Sequence, residues 1–182
     1  MAEIRLPFPD YNLSKDEVLK SNLSKKTTEQ SALKYFDQSW ECGKYQAEQL
    51  ISNGTVANFE EEFISLNYSI YEYNIDNKVG NIRYYADIFP KNKIIKLYSL
   101  SIKKWSDQFY LNYERSKNLV LAHEFFHYIE HSSIGFLSEM TNIPYIKIGN
   151  YKIGRLKFNI LSEVGAYSFV NTLIERGVVW KS

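Results

Sequence analysis

Residues 119–131 read LVLAHEFFHYIEH and contain all 3 histidines of the chain, His123, His127 and His131. Within this stretch, HEFFH has the form HExxH, in which a glutamate follows the first of two histidines. Residues i and i+4 of a helix lie on one face, about 6 Å apart along the axis, so both imidazoles can bind one metal ion. Apolar residues at helical spacing from about Glu114 to Ser132 predict that helix. The stretch therefore predicts one half of a metal site.

The residue types in this pattern suit zinc. Zn²⁺ binds imidazole nitrogens in a tetrahedral arrangement and lowers the pKa of a bound water molecule to about 7. Glu124 would lie beside the ion, where its carboxylate can accept a proton from that water and pass it to a leaving amine. The alternative is an aromatic-rich core helix. In such a helix, burying imidazoles without hydrogen-bond partners would cost folding free energy. We therefore predict His123 and His127 as ligands of one Zn²⁺ per chain and Glu124 as the catalytic base.

His131 lies too far along the helix to complete the ligand set. Its Cα would be about 12 Å from that of His123, so the two could share an ion only from nearly opposite sides. In the longer metzincin pattern, a glycine and a third histidine follow the HExxH residues. This chain has Glu130 in place of that glycine and Ser133 in place of that histidine. We predict that His131 either supports the ligands without binding the ion or lies at the helix C-terminus, where the helix dipole favours it.

The third ligand must come from another element, and the downstream glutamates are Glu130, Glu139, Glu163 and Glu175. Glu163 has the best position because it falls near the start of a helix predicted over 159–175. The small residues Gly165 and Ala166 follow it and would let this helix pack closely against the first. The alternative is a first-turn glutamate that is stabilised by the helix dipole. We predict Glu163 as the third zinc ligand.

The rest of the sequence predicts an α+β fold, because helical periodicity gives way to alternation in the middle of the chain and then returns. The predicted segments are an irregular arm over 1–12, a short helix capped by Ser14 and Glu17 within region 1–27, a helix over 28–52, strands near 66–71, 82–88 and 93–101, and a hairpin around Gly149-Asn150. Short turns between the three strands predict an antiparallel meander.

Length and composition restrict the class of protein. The 182 residues suffice for one domain with a core, and 22 basic against 21 acidic residues give a net charge of +1. This charge gives no basis for binding nucleic acid or an anionic membrane. A single cysteine, Cys42, excludes an internal disulfide, and no stretch resembles a signal peptide or a membrane span. We expect one domain over 1–182 in a cytoplasmic protein.

Two segments resemble a known family. LAHEFFHYIEH resembles the LAHELGHxxLxH signature of ImmA/IrrE-type metallopeptidases, and SEVGAYSFVNTLI resembles that family's ExEANxFAxxLLMP helix. The resemblance implies a zincin-like, gluzincin-type fold and a zinc-dependent endopeptidase of narrow specificity, with Glu163 as third ligand because it precedes Ala166 by three residues. It also implies a protein or peptide substrate, in some members a transcriptional repressor. Gly165, Tyr167 and Phe125-Phe126 replace the family's glutamate, asparagine and Leu-Gly.

Several roles stay open in the sequence. The third strand, near 93–101, is either a sheet edge beside the zinc, where an extended substrate could pair with it, or an ordinary packed strand. Tyr145 and Tyr151 are candidates for a hydrogen-bond donor to the transition state. Two other functions are a binding module that acts through a protein partner without turnover, and a DNA-associated metalloprotease of the SprT-like type. The nearly neutral charge counts against the latter.

Overall fold

The computed structural model of the chain describes residues 7–54, 58–148 and 151–178. Its helices are α1 (Tyr11–Lys20), α2 (Asn22–Lys26), α3 (Glu29–Ser52), α4 (Phe59–Ser65), α5 (Ser99–Phe109), α6 (Tyr113–Ile129) and α7 (Asn159–Glu175). Its strands are β1 (Ser69–Tyr73), β2 (Lys78–Val79), β3 (Ile82–Arg83), β4 (Ala86–Phe89), β5 (Ile94–Tyr98), β6 (Ile146–Ile148) and β7 (Tyr151–Ile153). The α+β class is therefore confirmed, and the helices predicted over 28–52 and 159–175 correspond to α3 and α7. The predicted hairpin corresponds to β6 and β7, although its turn at Gly149-Asn150 lies outside the described residues.

The N-terminal region becomes helical earlier than predicted. α1 begins at Tyr11 because the Asp10 side chain accepts a hydrogen bond, 2.8 Å long, from a backbone N–H in the first turn. The capping role predicted for Ser14 is wrong, since its hydroxyl donates to the carbonyl oxygen of Pro9. The described part of the arm therefore consists of residues 7–10.

The main sheet of the described chain has three strands in the order β1–β5–β4, and the predicted antiparallel meander is wrong. β5 is the central strand, antiparallel to β4 and parallel to β1. A tight 3-10 turn at residues 90–92 joins β4 to β5, whereas β1 is separated from β5 by the β2–β3 hairpin and β4. That long connection permits the crossover that parallel pairing requires. Ile95 and Leu97 of β5 are fully buried, as expected of a central strand.

Two of the predicted strands are shorter than the alternating pattern suggested. The segment 82–88 is divided between β3, which pairs with β2, and β4, which belongs to the main sheet. The predicted third strand ends at Tyr98, and α5 begins with the next residue. Ile102, Trp105 and Phe109 follow at helical spacing and face the core, so the packing of α5 replaces the continued strand.

Helix α7 lies between α3 and α6 in the helical core. A Cβ added at Gly43 of α3 would lie 2.0 Å from the carbonyl oxygen of Gly165 in α7. A Cβ at Gly165 would lie 2.6 Å from the ring of Phe126 in α6, so the predicted close packing of α7 against α6 is confirmed. Although α7 is buried over most of its circumference, no helix in the described ranges is long and apolar enough to cross a membrane.

Candidate metal centre

The three side chains predicted as ligands converge where α6 packs against α7. His123 Nε2 lies 3.2 Å from His127 Nε2 and 3.2 Å from Glu163 Oε2. His127 Nε2 lies 3.7 Å from Glu163 Oε1. The histidines are one turn apart on α6, and the glutamate comes from the first half of α7. These three groups lie close enough together to hold one metal ion.

Glu124 follows the first histidine, and it lines a cavity whose wall also contains His123, His127 and Glu163. Its side chain is buried, and the residue is 8% exposed. Burial raises the pKa of Glu124, since the charged carboxylate has lost much of its water, although the nearby histidines oppose this effect. A carboxylate with a raised pKa is a stronger proton acceptor than an ordinary surface glutamate.

Glu130 supports the cluster through a contact that the sequence did not predict. Its side chain is fully buried, and Oε2 lies 2.8 Å from His127 Nδ1. Oε1 accepts hydrogen bonds from the backbone N–H of Leu137 at 2.9 Å and from the hydroxyl of Ser162 at 2.7 Å. Because Ser162 precedes Glu163, this carboxylate connects one histidine to the helix that carries the third predicted ligand. Its position three residues after His127 is the sequence signal that could have identified it.

His131 was predicted either to support the ligands or to lie at the C-terminus of the helix, and it does not support the ligands. It lies in the π-helical turn Glu130–Ile134 that follows α6, and its side chain is exposed. Its ring centroid is 6.2 Å from that of Phe136. The alternative position, at the C-terminal end of α6, is therefore the one observed.

Electrostatic interactions within the cluster are strong. Burial opposes a charge on His127, but the hydrogen bond to Glu130 and the carboxylates of Glu163 and Glu124 outweigh it and raise the pKa of His127 to about 9. Burial also opposes a charge on Glu163, but the two histidines outweigh it and lower the pKa of Glu163 to about 2. The acidic side chain thus stays charged at neutral pH and attracts a cation, whether a proton on His127 or a metal ion.

Aromatic residues surround the other histidine. The Phe8 ring is stacked on the His123 ring, with centroids 5.6 Å apart and planes inclined by 10°. The Tyr167 ring centroid lies 5.7 Å from that of His123. His123 Nδ1 is buried, and no hydrogen-bond partner for it exists among the residues that the structure describes. Aromatic packing therefore orients His123, whereas a carboxylate orients His127.

Two cavities adjoin the cluster within the described structure, and both include His127, Glu163 and part of β4 in their walls. The first, of about 680 Å³, extends past His123 toward aromatic residues of the arm, α5 and α7. The second, of about 550 Å³, extends past Glu130 toward the loops that flank β6 and β7. β4 thus runs along a groove with the predicted ligands near its middle.

Tyr145 and Tyr151, predicted as hydrogen-bond donors to the transition state, lie elsewhere. They are 70% and 77% exposed and line neither cavity. Tyr167, a residue not considered for this role in the sequence, lines the first cavity beside His123. Burial raises the pKa of Tyr167, so its hydroxyl keeps its proton and remains a donor. The position one helical turn after Glu163 is the signal that could have identified it.

No protein-family model, curated protein or solved structure matches this chain. The resemblance to ImmA/IrrE-type metallopeptidases therefore stays a prediction from the two motif segments. A function must therefore be inferred from the side chains of the cluster, which are two imidazoles and one carboxylate beside the buried Glu124.

Proposed function

We propose that the protein is a zinc-dependent endopeptidase with a zincin-like fold, in which His123, His127 and Glu163 bind the ion and Glu124 is the catalytic base. The observation that carries the proposal is the convergence of two imidazole nitrogens and one carboxylate beside a buried glutamate in an open groove. A narrow-specificity regulatory protease is the class that the motif resemblance implies.

The spacing of the ligand atoms supports zinc. A tetrahedral ion with bonds of about 2.0–2.1 Å holds its ligand atoms about 3.3 Å apart. The corresponding distances here are 3.2 Å, 3.2 Å and 3.7 Å. Two imidazoles and one carboxylate are also a ligand set of catalytic zinc sites, which keep a fourth position for water. Zinc, when bound, lowers the pKa of that water to near 7 and polarises a carbonyl group.

The protein's own residues then have distinct tasks. Glu124 accepts the proton that the attacking water loses and delivers it to the nitrogen of the departing amine, so that one peptide bond and one water molecule give a carboxyl and an amino group. Glu130 holds the His127 ring with Nε2 directed toward Glu163. Tyr167 is positioned to donate a hydrogen bond to the carbonyl oxygen as it gains charge.

The position of β4 suggests how a substrate binds. The third predicted strand, now β5, has partners on both sides and is not an edge. Among the described residues β4 pairs with β5 alone, and its residues line both cavities of the groove. An extended peptide that adds to the free side of β4 would pass directly over the ligand cluster. A peptide or protein substrate, including the repressor that the resemblance implies, fits this arrangement.

A substitution of the base tests the function. Wild-type protein should bind one zinc ion per chain by elemental analysis and cleave members of a quenched-fluorescent peptide library. Glu124→Gln should bind zinc equally well and lose activity by at least about a thousandfold, since the amide cannot accept the proton. Glu139→Gln, at an exposed glutamate of the second cavity, is the matched control and should remain active.

The outcomes separate the candidate functions. An unchanged rate in Glu124→Gln would remove the proposed mechanism. One bound zinc without cleavage by the wild type would favour the alternative in which the protein is a non-catalytic module that acts through a partner.

A further inference from the structure

We propose that the first cavity is a specificity pocket that takes a large apolar side chain of the substrate, next to the scissile bond. This inference rests on the proposed function and adds the substrate class. We call the region formed by Phe8, Tyr85, Trp105 and Tyr167 the aromatic pocket. These rings come from the arm, the segment before β4, α5 and α7, and all four line the cavity that contains the predicted ligands.

The rings of the aromatic pocket brace one another. The Phe8 centroid lies 5.3 Å from that of Trp105 in an edge-to-face contact and 6.1 Å from that of Tyr167. Trp105 also packs against Tyr85, with centroids 5.5 Å apart. Aromatic pairs at such distances are mutually stabilising, so the wall is formed before a ligand arrives.

The arm that carries Phe8 is fixed to α7. The next residue, Pro9, accepts hydrogen bonds through its carbonyl oxygen from the Asn171 side-chain amide at 2.9 Å and from the Ser14 hydroxyl at 3.3 Å. Asn171 is 2% exposed and belongs to the helix that carries Glu163. The wall of the pocket and the third predicted ligand are thus held by one element.

The aromatic pocket is adjacent to the reacting bond. Phe8 and Tyr167 both contact the ring of His123, with centroids 5.6 Å and 5.7 Å away. A substrate backbone that lies along β4 over the ligand cluster would therefore place a side chain of a residue that flanks the scissile bond in this pocket.

The charges around the pocket favour an apolar side chain. Apart from the predicted site residues, the charged residues that the described part of the chain contributes to the cavity wall are Arg83 and Asp87. Arg83 forms an ion pair with Asp76 at 2.8 Å, and Asp87 accepts a hydrogen bond from the Tyr98 hydroxyl. An acidic substrate side chain would lose water there and meet an Arg83 that is already paired with Asp76, whereas an apolar one would cover aromatic surface.

Peptide binding tests the inference without requiring turnover. Four peptides, identical except for Phe, Leu, Ala or Asp at one central position, are titrated by calorimetry into zinc-loaded Glu124→Gln protein. The Phe and Leu peptides should bind about a hundredfold more tightly than the Ala and Asp peptides. Tyr85→Ala and Trp105→Ala, each added to Glu124→Gln, should reduce that preference at least about tenfold and leave binding of the Ala peptide unchanged, since neither ring contacts a predicted ligand. Tyr145→Ala is the control for loss of a tyrosine outside the pocket.

Equal binding of the four peptides would overturn the inference, and so would a preference that persists in both pocket variants. The preference of Glu124→Gln protein with an intact aromatic pocket decides the question even if a pocket variant fails to fold. Failure of the proposed function would give a different result from failure of this inference. Wild-type protein would cleave none of the peptides, but the preference for apolar peptides would remain.

Discussion

The Glu130 carboxylate connects the two halves of the candidate metal centre. Its Oε2 lies 2.8 Å from His127 Nδ1, and its Oε1 accepts a hydrogen bond from Ser162, the residue before Glu163. If His127 held a metal ion through Nε2, Nδ1 would carry the proton and donate a hydrogen bond to this carboxylate. Such a partner fixes the tautomer and the orientation of the ring.

We expect Glu130→Gln to weaken zinc binding by about 10–100-fold. An amide has only one oxygen, so it cannot accept from His127 on one side and from Leu137 and Ser162 on the other, as both oxygens of Glu130 do. The measurement is a competition titration with a zinc chelator. Glu139→Gln serves as the control, and equal affinities of the two variants would contradict the role assigned to Glu130.

Zinc affinity should depend on pH in a defined direction. The carboxylates around His127 raise its pKa to about 9, so at pH 7 the imidazole carries a proton that must leave before the metal binds. Apparent affinity should therefore increase about tenfold per pH unit between pH 7 and 8.5. Calorimetry in buffers of different ionisation enthalpy measures the proton that is released. Affinity that stays constant over this range would show that His127 is already neutral.

At the level of elements, the site depends on how closely α7 approaches its two neighbours. The missing side chain of Gly165 leaves room for Phe126 of α6, and the missing side chain of Gly43 in α3 leaves room for the carbonyl oxygen of Gly165. Two positions at which the chain differs from the ImmA/IrrE-type signatures that it resembles thus meet in space. Position 126 has a phenylalanine where the family has glycine, and position 165 has a glycine where the family has glutamate. The Phe126 ring occupies the volume that a side chain at position 165 would need.

Gly43→Ala should destabilise the protein by about 3 kcal/mol or more. The new methyl group would lie 2.0 Å from the carbonyl oxygen of Gly165 and 2.9 Å from its carbon, and a backbone cannot rotate away as a side chain can. Urea unfolding measures the loss. Lys44→Ala, at an exposed position on the same helix, is the control and should change stability by about 0.5 kcal/mol or less. A neutral Gly43→Ala would mean that α3 and α7 lie farther apart.

For the whole molecule, a bound metal would join segments that are distant in the chain, since Glu163 follows His127 by 36 residues (163 − 127). A ligand that binds only the folded state stabilises it by about 4 kcal/mol at a thousand times its dissociation constant. For a chain of this size, zinc should therefore raise the melting temperature by on the order of 10 °C, and a chelator should reverse the change. Glu163→Gln should lose most of the shift. An equal shift in that variant would place the ion elsewhere.

The sequence alone determined the local features of this protein. Helical spacing predicted α3, α6 and α7, and the i, i+4 relation placed His123 and His127 on one face, because both depend only on the geometry of one helix. It also identified Glu163 as the best of several downstream glutamates, although only packing could show that its carboxylate reaches the histidines.

Tertiary structure decided the rest. Alternation predicted strands but not their partners, so the central place of β5 and the free side of β4 followed only from the crossover of the chain. The contact of Glu130 with Ser162 and the stacking of Phe8 on His123 join residues from different elements. Pairings of this kind depend on how complete helices and strands pack, and periodicity within one segment contains no information about its neighbours.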